Sequence, residues 1–297
     1  MEDGKIGIYI HIPFCVKKCI YCDFLSFAGS DLQFYDYIRA LCSEIRLWGE
    51  RLKYSGKAVD TVFVGGGTPS ALPEGYITEI FSELWNCFNI EKNAEITLEA
   101  NPGTVTQDKL YEYKSAGVNR LSIGIQSLDN NMLSFLGRIH TSNDAVYAFQ
   151  RARRAGFENI NVDLIFGMPF NDSDMFRNTL LDTVRLGPEH ISAYSLIIEE
   201  GTPFASRTLN LPDEDAEYNM YEATAQILRE YGFEQYEISN YAKKGRECRH
   251  NVGYWIRQDY LGFGLGASSL YGKERFANTQ DMKKYLENSK NPEKIRE

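Results

Sequence analysis

The 297-residue sequence is 43% hydrophobic, 13% aromatic and 25% charged, with a formal net charge of −9. The length suits two ordinary domains or one α/β barrel, the aromatic content excludes a disordered chain, and the acidic balance disfavours a phosphate-neutralising nucleic-acid surface. No apolar run reaches the roughly 20 residues of a membrane helix, and the charged start Met1-Glu2-Asp3-Gly4-Lys5 is no secretory signal, so a cytoplasmic protein with at most transient membrane contact is expected.

Short apolar, β-branched runs predict strands over Ile6–Pro13, Asp60–Val64, Glu95–Glu99, Arg120–Gln126, Asn159–Phe166 and His190–Ile198. They are nearly continuously apolar, as parallel strands covered on both faces should be. Amphipathic stretches between them predict helices over Asp31–Lys53, Glu74–Phe88, Thr106–Ala116, Asn130–Leu136, Ser142–Ala155 and Ser173–Leu186. Gly56, Gly117, Gly156 and Gly187 follow four of these helices as stop signals. Six βα units in succession give a parallel sheet, too few to close an eight-stranded barrel. The fold class is therefore α/β, an open, partial (β/α)6 barrel over about 1–200, followed by an accessory region over 201–297. That region reads as a helix over Glu214–Tyr231, a strand over Phe233–Tyr241, a loop over Cys248–Trp255, a glycine-rich segment over Leu261–Leu270, and a frayed polar tail over Glu287–Glu297.

The strongest chemical signal follows the first strand: Cys15-Val16-Lys17-Lys18-Cys19-Ile20-Tyr21-Cys22, a C-x3-C-x2-C run. Six cysteines in a reducing compartment point to metal or redox chemistry rather than to disulfides. Three thiolates on a cubane [4Fe–4S] cluster leave one iron open to a ligand. A three-thiol zinc site completed by His11 is the alternative on residue types. Cys42 and Cys87 fall in helices and read as packing residues, while Cys248 stays open between packing and chemistry. Arg151, Arg153 and Arg154 read as a solvated helix end.

Gly65-Gly66-Gly67-Thr68-Pro69 follows the second strand, where glycines let backbone approach a ligand. Glu99, Gln126, Arg138 and Asp163 recur at or beyond later strand ends. Asp163 interrupts an apolar strand and needs polar partners there, and Arg138 offers a fork suited to a carboxylate.

At these residues the sequence resembles the radical S-adenosylmethionine (SAM) superfamily, in the branch containing oxygen-independent coproporphyrinogen III oxidase (HemN) and the haem chaperone HemW. Tyr9-Ile10-His11-Ile12-Pro13-Phe14-Cys15 opens that branch's motif, and the likeness runs to about Leu270. The resemblance implies a [4Fe–4S] cluster on Cys15, Cys19 and Cys22, whose open iron binds SAM and whose electron cleaves it. It implies SAM contacts at Tyr9, Gly66, Gly67, Thr68, Glu99, Gln126, Arg138 and Asp163, with Tyr21 flanking the cofactor and Ile197 lining the adenosine by backbone. An electron donor such as flavodoxin or ferredoxin is implied too.

Within the branch, the oxidase carries Gly-Cys after its third cluster cysteine and a longer N-terminal extension. Here Asp23-Phe24 follows Cys22, and 14 residues precede Cys15. His250-Asn251-Val252-Gly253-Tyr254-Trp255 matches the H-N-x-x-Y-W signature of HemW proteins. A neutral imidazole can ligate haem iron, which makes His250 a candidate haem ligand. The resemblance thus implies a haem carrier that delivers its cargo to haem-requiring proteins. The alternative is SAM-dependent decarboxylation of coproporphyrinogen III. Family members usually continue for several tens of residues beyond the length seen here, which implies either a shortened member or a truncated chain.

Overall fold

The computed structural model describes residues 4–169 and 173–297; the Met1-Glu2-Asp3 start lies outside them. Strand β1 (Lys5–Ile12) places Ile6, Ile8, Ile10 and Ile12 in the core beneath helix α1 (Asp31–Leu52). The intervening Gly7, Tyr9 and His11 lie on the opposite, interior face, because side chains alternate along a strand. The pattern repeats along β2 (Ala58–Gly66), β3 (Ile90–Ala100), β4 (Arg120–Gln126), β5 (Ile160–Phe166) and β6 (His190–Ser195), all mutually parallel. Between them run α2 (Tyr76–Cys87), α3 (Gln107–Ala116), α4 (Asn130–Phe135), α5 (Ser142–Arg154) and α6 (Ser173–Leu186). The α/β class and its parallel-strand core are as the sequence predicts. Side-chain caps fix the helix starts: Thr106 accepts from Lys109 N, and Thr141 with Asp144 closes a capping box.

The C-terminal third joins the same sheet at both edges. After α7 (Glu214–Glu230) come β7 (Glu234–Gln235) and β8 (Asn240–Ala242); β8 adds antiparallel to β6, and β7 pairs antiparallel with β8 at the edge. Helix α8 (Arg249–Trp255) follows, and β9 (Tyr260–Phe263) then pairs parallel with β1, a seventh parallel strand beyond the six predicted. Strands β10 (Ser268–Tyr271) and β11 (Glu274–Ala277) complete an open sheet of order β11-β10-β9-β1-β2-β3-β4-β5-β6-β8-β7.

Several expectations are corrected. The Cys248–Trp255 loop is a helix, because the Glu95 carboxylate on β3 accepts from the backbone N–H of Arg249 and His250 and so caps it from outside. The single strand over Phe233–Tyr241 is two short strands. The tail is docked, not frayed: α9 (Met282–Asn288) and α10 (Pro292–Ile295) bury Tyr285 and Ile295, and Glu297 N donates to Ala277 O. Beneath it Glu44 of α1 accepts from Gly264 N, Asn278 Nδ2 and Tyr285 Oη, tying the first helix to the last segment. Arg153 is no free surface cation either, since its guanidinium pairs with Glu189 at 2.7 Å.

Candidate functional site

The cysteine loop leaves the C-terminal end of β1. Phe14–Cys15 pairs with Phe27–Ala28, so the loop starts and returns side by side. Its middle is held by Ile20, whose N–H donates to Leu136 O and whose carbonyl accepts from Phe204 N. Cys15, Cys19 and Cys22 are free thiols, each partly accessible. Cys15 Sγ lies 3.4 Å from Thr68 Oγ1, and Arg138 Nη1 donates to Cys19 Sγ at 3.3 Å. The zinc alternative loses its fourth ligand, because both His11 nitrogens are engaged, Nε2 with Leu25 O at 2.9 Å and Nδ1 with Tyr9 Oη at 3.0 Å.

The triple glycine at the end of β2 is required sterically. Gly66 takes φ +112°, and a Cβ there would sit 2.6 Å from the His11 ring; a Cβ on Gly67 would sit 2.8 Å from Phe14 O. Gly67 N and Thr68 N donate to Ile12 O and Phe14 O, which lays the glycine turn against the start of the cysteine loop. Glu99, at the interior end of β3, accepts from Gly66 N at 3.1 Å. Burial, with Asp163 nearby, pushes its carboxyl up to about 8. Asp163 on β5 accepts from Ser122 Oγ at 3.0 Å and Asn161 Nδ2 at 2.7 Å, and burial raises its pKa as well. Arg138 Nη2 donates to Gly124 O at 2.6 Å, while its buried Nε has no partner among the described residues. Gln126 lies beside Gly124 with φ +69°, a left-handed backbone seldom adopted outside glycine.

Tyr9, Gly66, Gly67, Thr68, Glu99, Gln126, Arg138 and Asp163 therefore gather on the interior face at or near the C-terminal strand ends, beside the cysteine loop. Tyr21 packs against the small apolar cluster that includes Met132, Leu136 and Ile165. Ile197 lies just beyond β6, its side chain 66% exposed.

The H-N-x-x-Y-W residues form α8, against the same face nearer the N-terminal strand ends. His250 is buried, with Nδ1 2.9 Å from Thr61 Oγ1 and Nε2 2.9 Å from Tyr254 Oη. Its ring stacks on Phe63, which stacks on Tyr9. Burial pushes its pKa down to about 3, so the imidazole is neutral. Ligation of haem iron by His250 therefore requires that α8 first give up one of these hydrogen bonds. Tyr254 and Trp255 remain 39% and 63% exposed.

Residues 9–182 match the radical SAM superfamily. The chain is 41% identical to the heme chaperone HemW of Haemophilus influenzae, over 95% of this chain and 76% of that protein. It is 37% identical to the heme chaperone HemW of Bacillus subtilis, over 94% and 74%. The chain belongs to the HemW family of the radical SAM superfamily. In three dimensions it resembles Escherichia coli coproporphyrinogen III oxidase (HemN), with a TM-score of 0.84 and 25% identity over 96% of this chain and 69% of that one.

Membership of the radical SAM superfamily implies a [4Fe–4S] cluster and SAM, and the residues present fit them. Three accessible thiols share one anchored loop, and a guanidinium with an unpartnered buried nitrogen lies against the second. Two buried carboxylates, Glu99 and Asp163, share this interior, with no cation within ion-pair distance among the described residues. Residues that the HemW motifs alone do not reveal complete the interior: Thr61, Glu95, Ser122, Asn161 and His190. For Asn161 and His190 the sequence signal is the polar alternation Asn161-x-Asp163 and His190-x-Ser192, which puts polar groups on one face of otherwise apolar strands.

Proposed function

We propose that this HemW-family protein binds haem and delivers it to haem-requiring proteins, with a [4Fe–4S] cluster on Cys15, Cys19 and Cys22 and SAM on the glycine turn and strand-end residues. The observation that carries the reading is identity of 41% to a heme chaperone HemW sustained over 95% of the chain, in company with Asp23-Phe24 after the third cysteine.

The protein's own groups divide the work by chemistry. Glu99 and Asp163 are acceptors suited to the ribose hydroxyls. Arg138 is a cation suited to the methionyl carboxylate. The Gly66–Thr68 backbone, with no Cβ at two of its positions, allows close approach to the amino acid end of SAM. Tyr9 and Tyr21 offer ring surface on either side. When bound, the cluster supplies one-electron reduction of the SAM sulfonium. Haem is taken at His250 once α8 releases Nε2 from Tyr254, with Tyr254 and Trp255 presenting flat surface to the macrocycle.

The likeness to HemN supports a second reading, decarboxylation of coproporphyrinogen III. The test is anaerobic incubation of reconstituted, reduced protein with SAM and coproporphyrinogen III, with SAM cleavage recorded in the same tube. Cleavage without decarboxylated product is the expected result. Decarboxylated product overturns the carrier reading.

A further inference from the structure

Asn161, His190 and Tyr236 are not among the SAM contacts named above, yet they form one directed hydrogen-bond chain that ends on Asp163. Asn161 Nδ2 donates to Asp163 Oδ1 and to Ser122 Oγ, both at 2.7 Å, and Ser122 Oγ donates to Asp163 Oδ2. The other end of the same amide, Asn161 Oδ1, accepts from His190 Nδ1 at 2.6 Å and from Ser192 Oγ at 3.2 Å. An asparagine amide can rotate by half a turn, and the rotated form would set its oxygen against the Asp163 carboxylate. The N–H on His190 Nδ1, the closer of the two donors to Oδ1, opposes this together with Ser192 Oγ and Ser122 Oγ.

That N–H depends on the next link. Burial, reinforced by Arg120, lowers the His190 pKa well below the ordinary value, so the ring carries a single proton. Tyr236 Oη lies 2.8 Å from His190 Nε2 and accepts from Cys248 N at 3.2 Å. Asn161 Oδ1 can only accept, so the ring proton sits on Nδ1, and the Tyr236 hydroxyl, which receives the Cys248 amide, donates its hydrogen to Nε2 and holds that tautomer. Cys248 is the residue before α8, so the relay starts in the H-N-x-x-Y-W segment.

We propose that His190 and Asn161 are positioning residues that orient the Asp163 carboxylate for SAM, and that Tyr236 selects the His190 tautomer that lets them do so. The proposal rests on reading Asp163 as a SAM contact. It makes SAM affinity depend on the seating of the C-terminal segment, through a chain of hydrogen bonds that ends on the Asp163 carboxylate. The charged and titratable groups that face Asp163 are Glu99 from β3, Arg120 from β4, and His190 and Tyr194 from β6. Losing a donor to Asp163 disfavours its ionised form, so the effect has a sign: binding weakens most at low pH and recovers as the solution becomes alkaline.

The test is SAM affinity of the full chain with reconstituted cluster, measured by equilibrium binding from about pH 6 to about pH 9, across which a raised carboxyl titrates. Tyr236→Phe and His190→Leu are expected to weaken binding about tenfold near neutral pH, the scale of one buried hydrogen bond, and to move its recovery to higher pH than in the wild type. His190→Asn, whose amide replaces the Nδ1 donor, is expected to restore most of the affinity. Asp163→Asn is expected to weaken binding without recovery at any pH. Tyr236→Phe removes a single oxygen and carries the test if His190→Leu does not fold. Wild-type affinity and pH profile in Tyr236→Phe, or a loss equal at every pH, overturns the proposal while leaving the SAM site standing. Unchanged affinity in Asp163→Asn overturns the site reading itself.

Discussion

Arg138 donates from Nη1 to Cys19 Sγ at 3.3 Å, across 119 residues of sequence. One guanidinium thus stands between the cluster loop and the β4 end, where Nη2 holds Gly124 O, and its buried Nε faces no acceptor among the described residues. A buried donor without a partner costs free energy comparable to a lost hydrogen bond, and a bound carboxylate removes that cost. Arg138→Leu is expected to lower SAM affinity by about 10- to 100-fold, the range of a lost charge-assisted bond. Arg138→Lys should fall between, since it keeps the charge without the fork. Equilibrium binding on cluster-loaded protein checks this, with iron content as the control that the cluster loop survives.

The six cysteines divide by environment. Cys42 and Cys248 are buried, and Cys87 donates to Glu83 on the same helix. Cys15→Ala, Cys19→Ala and Cys22→Ala should each abolish or sharply reduce iron and sulfide binding after anaerobic reconstitution. Cys42→Ser and Cys87→Ser should retain it. Loss of iron in the Cys42 and Cys87 variants instead would place the cluster elsewhere.

Burial pushes the Glu99 carboxyl up to about 8, against 4.5 as its ordinary value. A carboxyl raised on folding binds a proton that the unfolded chain has released, so it lowers stability as pH climbs from about 4.5 through about 8. In the SAM-free protein, Glu99→Gln should flatten this decline and raise the melting temperature at alkaline pH, while weakening SAM binding. Thermal unfolding across the pH range measures the first effect. A variant with the wild-type slope would show that Glu99 carries no such cost.

His250 supplies the opposite slope and a test of the haem ligand. Its pKa of about 3 lies below the ordinary 6.5, so stability falls as pH drops from about 6.5 towards 3, where only the unfolded chain takes up the proton. His250→Ala should cost about 2–4 kcal/mol, from a lost buried ring and two hydrogen bonds, and should remove the imidazole signature from the haem spectrum. Tyr254→Phe removes the protein's own competitor for Nε2 and should tighten haem binding several-fold, on the scale of one hydrogen bond. Unchanged haem affinity and spectrum in both variants would exclude His250 as the ligand.

Strands β1 to β6 and their helices are legible in the sequence because local signals agree: isoleucines alternate along β1, valines line β2, and a glycine follows α3 at φ +108°. The cysteine loop is legible because three thiols crowd into eight residues directly after a strand. Asp163 is legible because a carboxylate inside an apolar strand must find polar partners. Helix α8 is not, since its start is fixed by Glu95, which is distant in sequence. Strand β9 lies hidden in a glycine-rich run, for its pairing with β1 is a tertiary event. The docked tail depends on Ile295, a single apolar residue in a polar stretch. The burial of His250 is equally hidden, because the motif names the residue types and not the partners Thr61 and Tyr254.

The most direct test of the carrier reading is haem transfer. Cluster-reconstituted protein is loaded with haem, freed of excess, and mixed with a haem-free cytochrome, whose absorbance is followed as it acquires the cofactor. Haem is expected to leave this protein and appear in the acceptor, faster than from haem in free solution. Haem that fails to bind, or that binds and is never released to any haem-requiring acceptor, would contradict the carrier reading.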